Sequence, residues 1–254
     1  DFAGNIIWQN RQPLRPPKDR QSLVDEILAF VQAGMRAIRG QFHRPIGMGI
    51  AASGVIDAKR GTILHYDMLP HAVDLPLREL ICRHIDLPCM MENNIRAMTI
   101  AEWVSGAAKG MNTFVCMAVR SGVGAGIVLN GRLRAGVHGF GGETGYMVLP
   151  TNASSGWKNL QQTVSESALG IDVEADGFQI SDSIAKRSGE LIGSQLASIA
   201  AVLDPEAMIL AGGMMNPMGP IWPYVIETFR RYALPELAER VHVLPAQLGL
   251  FAAA

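Results

Sequence analysis

Residues 114–135 read FVCMAVRSGVGAGIVLNGRLRA, in which apolar segments alternate with turns rich in glycine. The apolar run at 114–119 predicts a strand, and the alternating glycines of 121–126 predict a turn into a second strand at 127–129. Asn130-Gly131 is a strong signal for a type I′ hairpin, so residues 132–135 are expected to pair back on the second strand. This stretch therefore predicts two hairpins in tandem.

Strands and helices alternate after this stretch. Apolar residues at helical spacing predict helices at 183–203 and 219–232, and short apolar runs predict strands at 207–210 and 241–245. Because hairpins and strand–helix alternation occur in one chain, we expect an α/β fold with a mixed sheet and flanking helices.

The residues before position 114 show the same mixture of patterns. The helical periodicity at 23–38 is closed by Gly40, and Asn93 or Asn94 is a good cap for a helix that reaches about Ala108. Further segments are a short amphipathic helix at 75–84, strands at 2–8, 46–52 and 87–91, and turns at Ser53-Gly54 and before Gly61.

Composition excludes several classes of protein. The 254 residues are 48% hydrophobic and carry a net charge of −1, so the chain can bury a core and has no positive excess to hold nucleic acid. Cys82, Cys89 and Cys116 form no CxxC pair and no zinc-ligand spacing. No apolar run is long enough for a membrane helix. We therefore expect a soluble, cytoplasmic protein with no membrane partner.

Two polar or glycine-rich motifs lie at predicted strand ends. The glycines of 121–126 let backbone amides approach a phosphate, or they simply form a β-turn. Glu92-Asn93-Asn94, at a strand-to-helix junction, suits hydrogen bonds to ligand hydroxyl groups, although helix capping explains the same residues.

Two further motifs have the same ambiguity. The segment 139–146 holds a carboxylate and a phenol among glycines, which suits vicinal hydroxyl groups or a solvated turn. Gly212-Gly213 would let a ring or a phosphate lie against the backbone, but glycines are common after strands. The six histidines are scattered and give no support for a catalytic or zinc histidine.

In their order along the chain, these motifs resemble the ROK family, which is named for repressors, open reading frames and kinases. The resemblance implies an actin-like, ribonuclease H-like sugar-kinase fold of two lobes, at 1–91 (incomplete at its start) and 92–254. It rests on five correspondences: 52–57 with Pro-Gly-x-Val-Asp, 92–97 with Glu-Asn-Asp-Ala-Asn-Ala, 121–127 with the second phosphate loop, 142–146 with Gly-Glu-Ile-Gly-His, and 204–213 with the adenosine-side strand.

This sequence departs from the family's kinases at the residues that carry chemistry. Asn94 stands where the kinases have the aspartate that takes a proton from the sugar hydroxyl, and an amide cannot accept that proton. Arg120 replaces the glycine that opens the second phosphate loop. Tyr146 stands at the position of a zinc-ligating histidine, and residues 151–159 contain no cysteine, so we expect no bound metal. Gln161 replaces a sugar-binding glutamate, so part of the set of sugar contacts is altered. The first phosphate loop, Asp-x-Gly-Gly-Thr, would lie upstream of Asp1.

The resemblance thus implies the regulator branch of the family. We expect a catalytically inactive, sugar-sensing effector domain that needs no cofactor, forms a homodimer through the second lobe and contacts DNA through a winged helix-turn-helix upstream of this chain. The alternatives are an ATP- and magnesium-dependent sugar kinase and a sugar-binding scaffold protein. The expected sugar-binding residues are Ser53, Gly54, Asn93, Asn94, Glu143, Tyr146 and Gln161. The expected vestigial phosphate and nucleotide loops contain Ser121, Gly122, Gly124, Gly212 and Gly213.

Overall fold

The computed structural model describes residues 6, 8–14, 17–39, 45–150, 156–173 and 179–249. The chain divides into two compact units, Asp1–Asn93 and Asn94–Ala254. Within the described ranges, no helix combines the length and the apolar character needed to cross a bilayer.

The first unit joins two helices to two small sheets. Its elements are α1 (Arg20–Arg39), β1 (Met48–Ala52), β2 (Val55–Asp57), β3 (Thr62–His65), α2 (Leu77–Cys82) and β4 (Cys89–Asn93). Strands β1 and β4 pair in parallel, and β2 and β3 form an antiparallel hairpin. The apolar face of α1 buries Leu23 in one core with Ile56 and Ile81. The predicted helices at 23–38 and 75–84 and the predicted strands at 46–52 and 87–91 are confirmed.

The second unit is built around a four-stranded sheet with the order β10–β9–β5–β6. Only β6 runs antiparallel, so the predicted mixed sheet is confirmed. Its elements are α3 (Asn94–Ser105), β5 (Phe114–Val119), β6 (Val123–Val128), β7 (Val148–Pro150), β8 (Trp157–Asn159), α4 (Gln161–Val164), α5 (Glu166–Leu169), α6 (Asp182–Leu203), β9 (Ala207–Ala211), α7 (Trp222–Tyr232), α8 (Pro235–Arg240) and β10 (His242–Pro245).

Strand β5 is buried along its whole length because helices cover both faces of the sheet. Val115, Met117 and Val119 pack in a cluster that includes residues of α6 and α7. The alternate residues Phe114 and Cys116 pack in a second cluster, which includes Met98 of α3. The two-residue period of a strand thus divides one apolar run between two cores.

The turn at Asn130-Gly131 has the geometry predicted for it. Both residues have positive φ, 52° and 65°, and Leu129 and Arg132 exchange two backbone hydrogen bonds. Leu133 then bridges to Val128, so the chain pairs back as expected.

Two predicted boundaries were wrong. Strand β6 begins at Val123, so Gly124 and Gly126 lie in the strand, opposite Ala118 and Cys116, and not in a loop. Helix α3 ends at Ser105 and not near Ala108, because Glu102 turns back and accepts the N–H of Ala107.

The short elements β2, β3, β7, β8, α4, α5 and α8 were not predicted. Gly40 and most of the predicted strand at 2–8 lie outside the described residues, and Ile6 and Trp8 are in no strand.

Cys116 gives the stability of this core a dependence on pH. Burial, with a smaller contribution from Glu102, raises the pKa of its thiol to about 12. The thiol therefore ionises earlier in the unfolded chain than in the folded one. The stability contributed by the protonated thiol is present below pH 9 and is lost as the pH rises above it, by at most about 1.4 kcal/mol per unit.

We expect the difference in unfolding free energy between the wild type and Cys116→Ala to shrink as the pH rises from 8 to 10.5. Guanidinium titrations at each pH measure it. A difference that stays constant over this range would contradict the assignment.

Candidate functional site

In the first unit, the turn after β1 and the end of β4 lie side by side. The parallel register places Ala52 opposite Asn93, so the Ser53-Gly54 turn emerges beside Asn93. The side-chain Nδ2 of Asn93 donates to the carbonyl oxygen of Gly54 at 3.2 Å. Two predicted sugar-binding residues, Gly54 and Asn93, are thus in direct contact, with Ser53 next to them in the chain.

The Ser53-Gly54 turn depends on glycine. Gly54 has a φ of +94°, and a Cβ atom there would lie 2.5 Å from the carbonyl oxygen of His65 and 2.7 Å from Cβ of Tyr66. Gly54 therefore positions the turn, and any ligand contact from this residue would come from its backbone.

In the second unit, residues 142–146 fold as a short turn against β6. The carbonyl oxygen of Gly142 accepts the backbone N–H groups of Ala125 and Thr144, both at 2.7 Å. The turn leaves Glu143 partly buried and Tyr146 49% exposed. The two predicted polar side chains are therefore held by a backbone that is itself paired with the sheet.

Gln161 lies between this turn and the end of the β5–β6 hairpin. Its Oε1 atom lies 3.5 Å from the position of a Cβ atom at Gly122 and 2.9 Å from the one at Gly145. Gln161 is the first residue of α4, which places its side chain next to both segments. The structure thus brings Gln161 and Gly122 together with the segment that carries Glu143 and Tyr146.

Asn94 is the first residue of α3, and the side chains that follow it pack on β6. A Cβ atom at Gly124 would lie 2.6 Å from Cδ1 of Ile95, and one at Gly126 would lie 2.6 Å from Cβ of Thr99. These two buried glycines let α3 approach the sheet. Packing against α3 therefore explains Gly124 and Gly126, and their assignment to a phosphate loop stays a prediction.

Two buried polar residues near the site were not predicted. Arg96 is 2% exposed and donates from Nη1 to the carbonyl oxygen of Gly139 at 2.8 Å, which fastens the glycine-rich segment before Glu143 to α3. The hydroxyl of Thr144 is buried without a hydrogen-bond partner among the described residues. The sequence contained a signal for both residues, because Arg96 stands where the family motif has asparagine and Thr144 stands where it has isoleucine.

The described residues do not fit the structural zinc site of the family. Tyr146 stands at the histidine position, and a phenol is not a usual zinc ligand. In the described ranges, no three histidine, cysteine or acidic side chains are close enough together to hold a metal ion. The expectation that no metal binds stays a prediction.

Comparison with known proteins gives this arrangement a family. The sequence profile of the ROK family matches residues 2–254. The xylose repressor of Bacillus spizizenii is 26% identical over 98% of this chain and 69% of that protein. The structure of a ROK glucokinase from Streptomyces griseus, in complex with glucose and AMPPNP, superposes with a TM-score of 0.77 at 25% identity, over 94% of this chain and 87% of that one.

A ROK transcriptional regulator homologous to Escherichia coli Mlc superposes more closely. The TM-score is 0.80 at 20% identity, over 93% of this chain and 67% of that one. The structural similarity of this chain to the regulator and to the glucokinase confirms the predicted actin-like sugar-kinase fold. Since the profile covers almost the whole sequence, the chain belongs to the ROK family, whose members include repressors and sugar kinases.

Proposed function

We propose that this chain is the sugar-sensing, effector-binding domain of a ROK-type transcriptional regulator and that it does not transfer phosphoryl groups. The observation that carries the proposal is Asn94 at the first position of α3, where the kinases of the family have their aspartate base. A carboxylate takes the proton from the attacking hydroxyl, and loss of such a base lowers a rate by about 10² to 10⁴. An amide keeps the ability to hydrogen-bond a hydroxyl group and loses the ability to deprotonate it.

Each unit contains polar groups that suit the hydroxyl groups of a sugar. In the first unit Asn93 and the Ser53-Gly54 turn offer amide and hydroxyl groups, and in the second unit Glu143 and Gln161 offer a carboxylate and an amide. Side chains of these kinds form paired hydrogen bonds with neighbouring hydroxyl groups. Sugar binding therefore remains chemically reasonable without a catalytic base.

In this proposal the sugar acts by differential affinity. A monosaccharide that binds one conformation of the domain more tightly shifts the population toward that conformation. In a homodimer, this shift changes the relative placement of DNA-binding modules that lie outside these residues. The similarity to a xylose repressor supports this role.

A sugar kinase is the second candidate function. It is favoured by the similarity to a glucokinase whose structure contains both glucose and a nucleotide analogue. Positioning and electrostatics supply much of the catalysis of phosphoryl transfer, so a kinase could in principle act slowly without the usual base.

Calorimetric titration with glucose, xylose, N-acetylglucosamine and their phosphates, followed by an assay of ADP release, tests the proposal. We expect one of these sugars to bind and no sugar-dependent ADP release. Because a lost buried hydrogen bond weakens binding by about 1–2 kcal/mol, Asn94→Ala should reduce sugar affinity about tenfold. The exposed Asn112→Ala is the matched control and should bind as the wild type does. Sugar-dependent ADP release by the wild type would contradict the proposal and support the kinase.

A sugar-binding scaffold protein is separated from a regulator by a second measurement. Mobility-shift assays with the complete protein and its own upstream DNA, with and without the sugar found by calorimetry, should show DNA binding that the sugar changes. DNA binding that is absent or indifferent to the sugar would contradict the regulator.

A further inference from the structure

Two cysteines that the candidate sugar site does not use lie together in the first unit. Cys82 is the last residue of α2, and Cys89 is the first residue of β4. They are too far apart in the sequence to form a CxxC motif. They come together because α2 packs against the strand that follows it in the chain.

The packing of α2 fixes the position of Cys82. Leu77 and Ile81 are buried in the same core as Met91 of β4. The backbone N–H of His84 donates to the carbonyl oxygen of Ile81 at 2.9 Å, so the chain turns directly after the helix. Cys82 is half-buried at this turn.

The start of β4 fixes the position of Cys89. The carbonyl oxygen of Pro88 accepts the N–H of Met48 at 2.8 Å, and the parallel register places Cys89 opposite Met48. The side chain of Cys89 is half-buried against the core of the first unit. Its Sγ atom lies 3.5 Å from the carbonyl oxygen of Leu87, an acceptor that only a protonated thiol can use.

The two thiols interact with each other. Burial, followed by a hydrogen bond and an electrostatic interaction with Cys82, raises the pKa of the Cys89 thiol to about 11. Cys89 therefore keeps its proton at neutral pH. The guanidinium of Arg78 acts on the pKa of Cys89 in the opposite direction, so a positive charge also lies near the pair. Arg78 is held there by donating from Nη2 to the carbonyl oxygen of Lys59 at 3.0 Å.

A metal site does not explain this pair of cysteines. Zinc sites in proteins use three or four histidine, cysteine or acidic ligands. Among the residues that the structure describes, no third side chain of these kinds is close enough to complete such a set. Two neighbouring, half-buried thiols are instead suited to form a bond with each other, because an accessible cysteine beside a second cysteine is the usual arrangement of a redox-sensitive pair.

We propose that Cys82 and Cys89 are a reversible redox site, which peroxides oxidise to an intramolecular disulfide and thiol reductants restore. Because Cys89 keeps its proton, Cys82 attacks first. Its thiolate forms an S–O bond with hydrogen peroxide as the O–O bond breaks. The hydroxide that leaves takes up the proton that Cys82 had released, and Cys82 becomes a sulfenic acid.

The second step uses the thiol of Cys89. Its sulfur attacks the sulfur of the sulfenic acid, the S–S bond forms, the S–O bond breaks, and the hydroxyl group leaves as water with the proton of Cys89. Two thiols thus lose two electrons in total, and one molecule of hydrogen peroxide gains them and becomes two molecules of water. This chemistry needs neither sugar nor DNA, so it is independent of the proposed function.

The test is brief oxidation of the wild type by a small molar excess of hydrogen peroxide at neutral pH, followed by digestion with trypsin and mass spectrometry without reduction. Trypsin cleaves after Arg78, Arg83 and Arg96, so the two cysteines fall on separate peptides, 79–83 and 84–96. We expect a disulfide to join these peptides in a chain that stays monomeric on a non-reducing denaturing gel. Incubation with reduced glutathione should separate them again.

Two serine variants separate the steps. Cys89→Ser removes the second thiol, so peroxide should leave a sulfenic acid at Cys82 that dimedone traps. Cys82→Ser leaves only the protonated thiol of Cys89 in the first unit, so oxidation at Cys89 should be at least about tenfold slower than in the wild type. Cys116 is completely buried and is the internal control in each protein, where it should keep its free thiol.

Separate peptides after oxidation of the wild type, a disulfide between two chains, or a disulfide that includes Cys116 would overturn the redox site. An equal oxidation rate of Cys89 in Cys82→Ser and in the wild type, or no dimedone adduct in Cys89→Ser, would overturn the order of the two steps. The peptide map of the wild type requires no substitution, so it decides the matter even if a variant does not fold.

Discussion

Replacement of Glu102 with alanine is expected to lower the free energy of unfolding by about 3–5 kcal/mol. Glu102 lies in α3, is completely buried, and accepts three backbone N–H groups. Its Oε2 atom accepts from Ala107 at 2.8 Å and Gln247 at 3.2 Å, and its Oε1 atom accepts from Leu248 at 2.8 Å.

The size of the effect follows from what the alanine variant leaves behind. Three partly buried donors lose their acceptor at once, and each unsatisfied buried donor costs about 1–3 kcal/mol. The carboxylate also joins the end of α3 to the segment after β10, which is 145 residues away in the chain. Its loss therefore releases the C-terminal strand region as well as the helix end.

Chemical denaturation followed by tryptophan fluorescence measures the effect, since Trp103 and Trp222 pack against the two cores of the second unit. Glu206→Ala is the matched control, because Glu206 also accepts two backbone N–H groups, from Asn112 and Thr113, but is exposed. Water replaces an exposed acceptor, so the control should lose only about 1 kcal/mol. Equal losses in the two variants would show that burial of the Glu102 carboxylate is not what makes it stabilising.

Much of the fold could be predicted because its signals are local. The apolar run of β5, the Asn130-Gly131 turn and the periodicity of α6 each specify an element within a few residues. The start of β6 could not be predicted in this way. Gly124 and Gly126 resemble a phosphate loop by spacing alone, and only the packing of Ile95 and Thr99 shows that a helix requires them.

The candidate site shows the same division between local and tertiary information. The motifs located Gly54 and Asn93, which are in contact, and Gln161, which lies beside Gly122. They did not reveal Val173, which lies beside Gly213 and belongs to a segment without a recognisable motif. Which side chain fills the space beside a glycine depends on the whole fold, and neighbours in the sequence do not contain that information.

Replacement of Gly142 with alanine is expected to damage both stability and sugar binding. Gly142 has a φ of +97°, and an added Cβ atom would overlap the carbonyl oxygen of Ala125. The left-handed backbone alone costs about 1–2 kcal/mol, and the overlap forces the turn away from β6. We expect a total loss of about 2–4 kcal/mol in unfolding free energy.

Gly110→Ala separates the two causes. Gly110 also has a positive φ, +85°, but no atom lies within 4 Å of its added Cβ, so it should lose only the backbone term of about 1–2 kcal/mol. Because Glu143 and Tyr146 lie one and four residues after Gly142, only Gly142→Ala should also weaken the binding of the sugar found by calorimetry, by at least about tenfold. If both variants lost equal stability and kept full sugar affinity, the pairing of this turn with β6 would not be what positions the sugar-binding side chains.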